Sequence, residues 1–133
     1  MANEAVLVFE TDKPIPFTCA DNTGIEKGAI LKLADPFTVA ASDGASNAVG
    51  GIAAEEKIAS DGKVKIGVYR GGIFKVTASG TITVGKAVYL KGAANLVYTG
   101  AVNDESALGI ALETAAEAET FLMELRPTSM ELA

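Results

Sequence analysis

Glycine, aspartate and asparagine interrupt this chain at short intervals, and that spacing limits what it can fold into. The segments between the interruptions are short. They are rich in β-branched residues or alternate between polar and apolar side chains, and such segments bounded by turn residues are typical of β-strands. The five clearest are residues 29–33, 63–69, 73–79, 87–90 and 120–125. A chain built from them is expected to be mainly β.

Helical segments are few. Residues 53–59 and 112–119 have the composition of a helix, but each is too short to be stable by itself. We expect turns or single helical turns there, between strands. The fold class that follows is mainly β, a small barrel-like or sandwich-like domain with at most short helical turns.

An internal repeat supports this architecture. Three pairs of segments match at offsets of 57 or 58 positions, namely residues 25–33 with 82–90, 51–55 with 109–113, and 64–68 with 121–125. The alternative is a chance similarity between glycine- and alanine-rich strands. The repeat predicts two similar β units, residues 25–68 and 82–125, within a single β-rich domain that spans residues 17–133.

The N-terminal segment, residues 1–16, lies outside the repeat. Its apolar run, residues 6–9, is followed by Pro14 and Pro16, which favour extended backbone and interrupt strand pairing. A β-prone segment with unpaired backbone groups can add a strand to the edge of a partner's sheet. We therefore expect an extended N-terminal arm that is loose in the free protein and becomes ordered on a partner. An ordinary first strand of the domain's own barrel is the alternative.

Composition excludes many kinds of chemistry. The 133 residues contain no histidine and one cysteine, Cys19, which excludes histidine-based triads, histidine zinc ligands and a disulfide within the chain. With no histidine to activate it, Cys19 is expected to be a buried, inert thiol. Aspartates beside glycine, such as Asp61, are turn residues by default. We expect no catalytic site, no metal ion and no cofactor.

Charge limits the partners. The net charge is −6, which is the wrong sign for binding nucleic-acid phosphates or an anionic membrane surface. No apolar stretch approaches the roughly 20 residues of a membrane-spanning helix. The first residues also lack the basic and long apolar regions of a secretory signal. We expect no nucleic-acid partner, no membrane partner and synthesis in a reducing cytoplasm.

Residues 80–87 (Gly-Thr-Ile-Thr-Val-Gly-Lys-Ala) contain most of a phosphate-binding loop pattern. That pattern requires a serine or threonine after the lysine, which holds Mg²⁺, and then a helix whose N-terminus faces the phosphates. Here Ala87 follows Lys86, and the next residues are predicted to form a strand. We interpret the segment as a turn equivalent to Gly28-Ala29 and not as a nucleotide site.

Several glycine-rich segments together resemble a known family. They are Val-Gly-Gly-Ile-Ala-Ala (49–54), Val-Lys-Ile-Gly-Val (64–68), Gly-Gly-Ile-Phe-Lys-Val (71–76), Gly-Lys-Ala-Val-Tyr-Leu (85–90), Leu-Gly-Ile-Ala-Leu-Glu (108–113) and Phe-Leu-Met-Glu-Leu (121–125). The chain resembles the capsid decoration (head cement) proteins of tailed phages, the DUF2190-like family. This implies a β-rich, non-enzymatic homotrimer, made in the host cytoplasm, that binds the major capsid protein on the outer surface of the virion and strengthens the shell.

Two apolar segments are candidates for contact with the capsid or with a neighbouring subunit. They are the run Val6, Leu7, Val8, Phe9 in the arm and the pair Ile73, Phe74 after a double glycine. Phe74 fits a place in the core equally well. Arg70, just before the double glycine, is either an interface anchor or a solvated charge at a strand end.

A second function class is a non-catalytic β-rich module that binds carbohydrate or a cell surface. Such a module needs aromatic side chains on which sugars stack. Aromatic residues make up only 6% of the chain and tryptophan is absent. The sequence therefore favours the capsid decoration protein.

Titration calorimetry with Mg-ATP is expected to show no binding, because residues 80–87 lack both the hydroxyl and the helix that the phosphate loop requires. A micromolar dissociation constant that Lys86→Ala abolishes would contradict this interpretation.

Overall fold

The structure, a computed structural model, describes residues 3–42, 48–91, 95–99 and 107–128. These residues contain eleven β-strands and no helix. The strands are β1 (Val6–Phe9), β2 (Ile15–Thr18), β3 (Ile30–Asp35), β4 (Thr38–Ala41), β5 (Val49–Ala53), β6 (Lys65–Tyr69), β7 (Gly72–Ala78), β8 (Ala87–Lys91), β9 (Leu96–Tyr98), β10 (Ala107–Ala111) and β11 (Thr120–Thr128). The predicted mainly β fold is confirmed. Residues 54–59 and 112–119 form bends, turns and one isolated bridge each.

Strands β2 to β6 close into a small barrel, barrel 1. The order around it is β2-β4-β3-β5-β6, with β6 pairing back onto β2. Neighbouring strands are antiparallel except β2 and β4, which are parallel. Side chains alternate between the two faces of a strand, so every second residue points inwards. The interior is filled by apolar side chains that include Phe17, Leu31, Val39, Ile66 and Val68.

Strands β7 to β11 form barrel 2 with the same topology. The order is β7-β9-β8-β10-β11, and β11 pairs back onto β7. The parallel pair of β7 and β9 corresponds to that of β2 and β4. The interior includes Phe74, Val88, Val97, Phe121 and Met123. The two similar β units predicted from the sequence are therefore two barrels.

The strand registers show where the repeat shifts. Ala53 pairs with Val68 in barrel 1, whereas Ala111, its counterpart, pairs with Met123 in barrel 2. Val68 is thus equivalent to Met123, at an offset of 55 positions, and not to Leu125 as the sequence comparison had it. A shift of two residues keeps the same face inside, because the side-chain period of a strand is two.

Strand β1 pairs with barrel 2, although it precedes barrel 1 in the sequence. It runs antiparallel to β7, with Val6 opposite Lys75 and Phe9 opposite Ile73. Barrel 1 has its corresponding edge along β2, which contains Pro16. A proline nitrogen cannot donate a hydrogen bond to an added strand, so this edge is poorly suited to strand addition. Strand β2 begins at Ile15, so the last residues of the segment expected to be an arm belong to barrel 1.

Barrel 1 packs with its outer wall against one end of barrel 2. This end, where β7 and β9 begin and β8 and β11 end, is called the mouth of barrel 2. On the wall, Ile30 and Ile52 point away from the interior of barrel 1 and join the hydrophobic cluster of barrel 2. Tyr69 meets Phe74 edge to face, with ring centroids 5.5 Å apart. The wall of one barrel thus closes the end of the other.

Asn95 fastens the two barrels together. Its Oδ1 accepts a hydrogen bond from the Ile30 amide at 2.8 Å. Its Nδ2 donates to the carbonyl oxygens of Gly28 at 3.1 Å and Asn3 at 2.8 Å. The backbone at Asn95 is left-handed, with φ of 62°, a conformation that asparagine adopts more readily than most residues. One buried amide therefore ties the turn before β9 to barrel 1 and to the N-terminal segment.

A buried lysine closes the far end of barrel 1. The Lys57 side chain is 1% exposed, and its Nζ lies 2.7 Å from Asp61 Oδ1 and 3.2 Å from Asp21 Oδ1. The ammonium also donates to the carbonyl oxygens of Asp21 and Ile58. A buried cation is tolerated when it is paired and hydrogen-bonded in this way. Barrel 2 has Ala115 at this position, bridged to Ile82 as Lys57 is to Ile25.

Melting temperature is expected to fall as the pH drops from about 4 to about 2. The hydrogen bond from Lys57, aided by the Lys63 amide, lowers the pKa of Asp61 from 3.8 to about 2. Because the folded state has the lower pKa, the stabilisation is complete above pH 3.8 and is lost as the pH falls through about 2. Asp61→Asn should melt lower than the wild type near neutral pH and lose less across this acid range, as measured by circular dichroism.

The matched control is Asp35→Asn, which alters an exposed aspartate at the end of β3. It should melt with the acid profile of the wild type. An Asp61→Asn variant whose profile equals that of the wild type would show that Lys57 and Asp61 are not coupled.

Gly109→Ala is expected to destabilise the fold by about 1–3 kcal/mol, the usual cost of overpacking. A Cβ at Gly109 would collide with the carbonyl oxygen of Glu124 in the neighbouring strand, and backbone cannot swing aside. Gly67→Ala, also within a strand, is the control. Its Cβ would meet the side chains of Glu55, Pro14 and Ala54, at 3.3, 3.4 and 3.8 Å, so the change should stay within about 0.5 kcal/mol. Urea unfolding with equal losses for both variants would contradict this.

Candidate functional site

The structure brings together all six residues proposed from the sequence as contact residues. Val6, Leu7, Val8 and Phe9 form strand β1, while Ile73 and Phe74 lie opposite them on β7. Leu7 is directly across from Phe74, and Phe9 is across from Ile73. Residues that lie far apart in the sequence therefore form one small sheet surface.

This surface has an inner and an outer side. Phe74 is buried in barrel 2, and Leu7 packs against the same cluster. Phe74 therefore belongs to the core and has no surface to offer a partner. On the outer side, Val6, Val8 and Phe9 are 47%, 42% and 58% exposed. The outward-facing part of the candidate site is thus β1, with half-buried Ile73 beside it.

Strand β1 also has a free backbone edge. It is the first strand in its sheet, and among the described residues no strand pairs with its outer side. The amide and carbonyl groups on such an edge can pair with a strand of another protein. Glu4 and Glu10 flank the strand, so a partner segment with basic groups at matching positions would suit it. The site offers both backbone hydrogen bonds and apolar side chains.

A second exposed apolar surface was missed by the sequence analysis. It surrounds an opening of about 270 Å³ at the end of barrel 1 where β2 begins, lined by Ile15, Phe17, Leu33, Phe37 and Arg70. This end is called the mouth of barrel 1. The residues are scattered along the sequence, and only barrel closure brings them together. The one sequence signal was Arg70, for which an interface anchor and a solvated charge at a strand end were both predicted.

Titratable groups in the described part of the chain gather in two places, around Lys57 at the closed end of barrel 1 and in an open cleft. A shallow cleft of about 580 Å³ is lined by charged groups of both signs, the carboxylates of Glu10 and Glu55 and the ammonium groups of Lys13 and Lys65. Cys19 is buried, and desolvation raises the pKa of its thiol. The positive charge of Lys57 lowers this pKa, and the negative charges of Asp61 and Asp21 raise it. Within the described ranges, no group of three potential metal ligands occurs.

The phosphate-loop pattern has a turn and a strand where a nucleotide site would need a helix. Gly85 sits in a turn with φ of 87°, and β8 begins at Ala87. Gly28, its counterpart in barrel 1, has φ of 86°. Separately, no helix capable of spanning a membrane is found among the residues described.

Comparison with known proteins gives a family. The sequence matches the phage cement protein family over residues 9–126, which is most of the chain. The chain belongs to the phage cement protein family. The match covers both barrels, from the end of β1 into β11, and agrees with the resemblance seen in the glycine-rich segments. A sequence search of curated proteins found no match.

A solved structure shares the fold of this cement-family chain. It is the head fiber gp8.5 N base of bacteriophage phi29, with a TM-score of 0.57 and 14% sequence identity. The similarity covers 89% of this chain and 98% of the other. At this level of identity the likeness concerns the arrangement of strands and not individual side chains. The two-barrel architecture therefore also occurs in a phage head protein.

Proposed function

We propose that the protein is a viral structural protein that binds the outer surface of an assembled phage head and stabilises it as a homotrimer. Its partners are the major capsid protein and its own copies, and its location is the virion surface. Membership of the phage cement protein family supports the capsid-associated role. The trimer, the capsid-binding surface and synthesis in the host cytoplasm are parts of the proposal.

The observation that carries the proposal is an exposed apolar edge strand on a rigid β scaffold. Strand β1 is held on barrel 2 by its pairing with β7. The carbonyl oxygen of Asn3, just before it, is bound by Asn95. The outer edge and the side chains of Val6, Val8 and Phe9 face solvent. Such a strand can extend a sheet of the capsid protein and bury its apolar side chains in the same step.

Cementing requires no catalytic residues, and the chain's physical properties suit it. Adding a strand between capsid subunits links them through many backbone hydrogen bonds, and the rigid barrels transmit the restraint. The net charge of −6 opposes binding to the nucleic acid that a head packages. The protein is thereby directed towards the shell and away from its contents.

Deleting residues 2–13 is expected to abolish co-sedimentation with undecorated heads of the phage that encodes the chain, because β1 supplies the proposed contact. Barrel 1 lacks any strand from this segment and should keep its fold. Barrel 2 loses an added strand, the core contacts of Ala5 and Leu7, and the hydrogen bond between Asn95 and the Asn3 carbonyl oxygen. The melting temperature should therefore fall, but a cooperative melting transition should remain, because the five strands of barrel 2 are intact. Undiminished head binding would contradict the role of β1. Loss of the melting transition would show that the segment is part of the fold and not a capsid-binding arm.

Phe9→Asp tests the same contact without removing the strand. Head binding should weaken about tenfold or more, as when an exposed anchor is lost from an interface, while the melting temperature stays within a few degrees. Val64→Asp is the control, since Val64 is 51% exposed, similar to Phe9 at 58%, but lies between two lysines on barrel 1. Equal losses for both variants would argue against a specific contact at β1.

A further inference from the structure

The two barrels differ in what covers their mouths. The mouth of barrel 2 is closed by the outer wall of barrel 1, which contributes Ile30 and Ile52. The mouth of barrel 1 faces solvent, although it is built from the equivalent strands. Since the two barrels are repeats, the wall that covers one mouth has a counterpart on barrel 2, and among the described strands no mouth packs against this second wall.

Residues at the two mouths can be matched through the strand registers. Phe74, Leu90, Asn95 and Leu125 in barrel 2 correspond to Ile15, Leu33, Phe37 and Arg70 in barrel 1. The four residues of barrel 2 are 1–7% exposed. In barrel 1, Ile15, Leu33 and Phe37 are 42%, 40% and 62% exposed. At three of the four positions, a side chain that is buried in barrel 2 therefore has an exposed apolar counterpart in barrel 1.

Phe37 combines a strained backbone conformation with an exposed aromatic ring. Its φ of 51° is left-handed, as is that of Asn95 at 62°. A bulky residue in this conformation is strained. The ring stacks on Phe17, with centroids 4.8 Å apart, and remains largely in solvent. Backbone strain that places an aromatic ring in solvent is typical of a site that contacts a partner.

Barrel 2 carries a wall that matches the one on barrel 1. Ile30, Ile52 and Tyr69 of barrel 1 correspond to Ala87, Ile110 and Glu124 of barrel 2, which are all partly exposed. Leu112, which is 39% exposed, and half-buried Leu122 are neighbours, since the Leu112 amide donates to the Leu122 carbonyl oxygen at 2.9 Å. This wall is less bulky than that of barrel 1 and carries one carboxylate.

The charged side chains at this pair of surfaces are Glu124 on the wall of barrel 2 and Arg70 at the mouth of barrel 1. Tyr69 on the wall of barrel 1 contacts Phe74 in the mouth of barrel 2. By the same arrangement Glu124 would meet Ile15, with Arg70 beside it. Arg70 donates to the carbonyl oxygens of Val49 and Gly50 at 3.2 and 3.0 Å. Glu124 is paired with Arg126 at 3.1 Å. In this arrangement the Glu124 carboxylate, already paired with Arg126, would lie near the Arg70 guanidinium as well.

We propose that the wall of barrel 2 in one copy covers the mouth of barrel 1 in the next copy, repeating between chains the contact that joins the barrels within a chain. The occupant of the mouth is thus a second copy of the protein. The contact is heterologous, because two different surfaces meet, and heterologous contacts produce rings when their rotation closes. The inference rests on the proposed homotrimer and names its interface, in which three copies form a ring of six barrels.

Cysteine cross-linking between two variants tests the pairing of surfaces. Ile15→Cys and Glu124→Cys place thiols on the mouth and on the wall, and the native Cys19 is buried. Under mild oxidation the mixture of the two variants should form a disulfide-linked dimer on a denaturing gel, and neither variant alone should do so. A self-linked dimer of Ile15→Cys alone would indicate a two-fold contact between mouths and would overturn the proposal.

Phe37→Asn tests the role of the exposed ring, because asparagine occupies the equivalent position in barrel 2. Asparagine suits the left-handed backbone, so the monomer should keep its fold, while self-association should weaken about tenfold or more. Ile58→Asn is the control, since Ile58 is 65% exposed at the opposite end of barrel 1. Light scattering and sedimentation of both variants, free and bound to heads, report the oligomeric state.

The outcomes separate this inference from the proposed function. A wild-type oligomer on heads that Phe37→Asn leaves intact, with no cross-link in the mixture, overturns the interface and leaves the decoration role standing. A wild-type protein that binds heads as isolated monomers overturns the homotrimer and the interface together. Loss of the oligomer in Phe37→Asn but not in Ile58→Asn, together with the mixed cross-link, supports the interface.

Discussion

A small β-barrel with five short strands has an end that its own side chains do not close. In barrel 2 the wall of barrel 1 closes that end, and the two units share one hydrophobic cluster as a result. The wall works because Ile30 and Ile52 point outwards from barrel 1, where an isolated barrel would carry polar residues. Two barrels that would each be small for an independent core are thereby joined into one larger fold.

Equivalent positions in the two barrels have diverged where their surroundings differ. Asn95 is buried between the barrels and makes three hydrogen bonds, whereas Phe37 takes the same left-handed turn in solvent. Lys57 closes the far end of barrel 1 with two aspartates, whereas Ala115 occupies that place in barrel 2. The backbone geometry is similar at these equivalent positions, while the side chains differ with the groups that surround them.

Much of the fold could be predicted from the alternation of side chains and the spacing of glycines, as the segment 63–69 and strand β6 (Lys65–Tyr69) show. The register of β11 could not, because sliding a strand by two residues leaves its buried face unchanged. Lys57 was missed as well, since a lysine between turn residues has the sequence pattern of a solvated charge. The mouth of barrel 1 depends on contacts between distant segments, and local patterns carry no information about these. Of the two exposed apolar surfaces, only the one on β1 could be predicted, because it is a continuous apolar run in the sequence.

Strand β1 precedes barrel 1 in the sequence, but its partner strand β7 follows only after the whole of barrel 1. A chain emerging from the ribosome therefore exposes a β-prone segment whose partner strand has not yet been made when barrel 1 is complete. Pairings between segments so distant in sequence form slowly. Pro14 and Pro16 separate this segment from β2 and make the edge of barrel 1 a poor template for it. Because β1 pairs with a strand of barrel 2, its docking waits for β7 and is a late step in the folding of the chain.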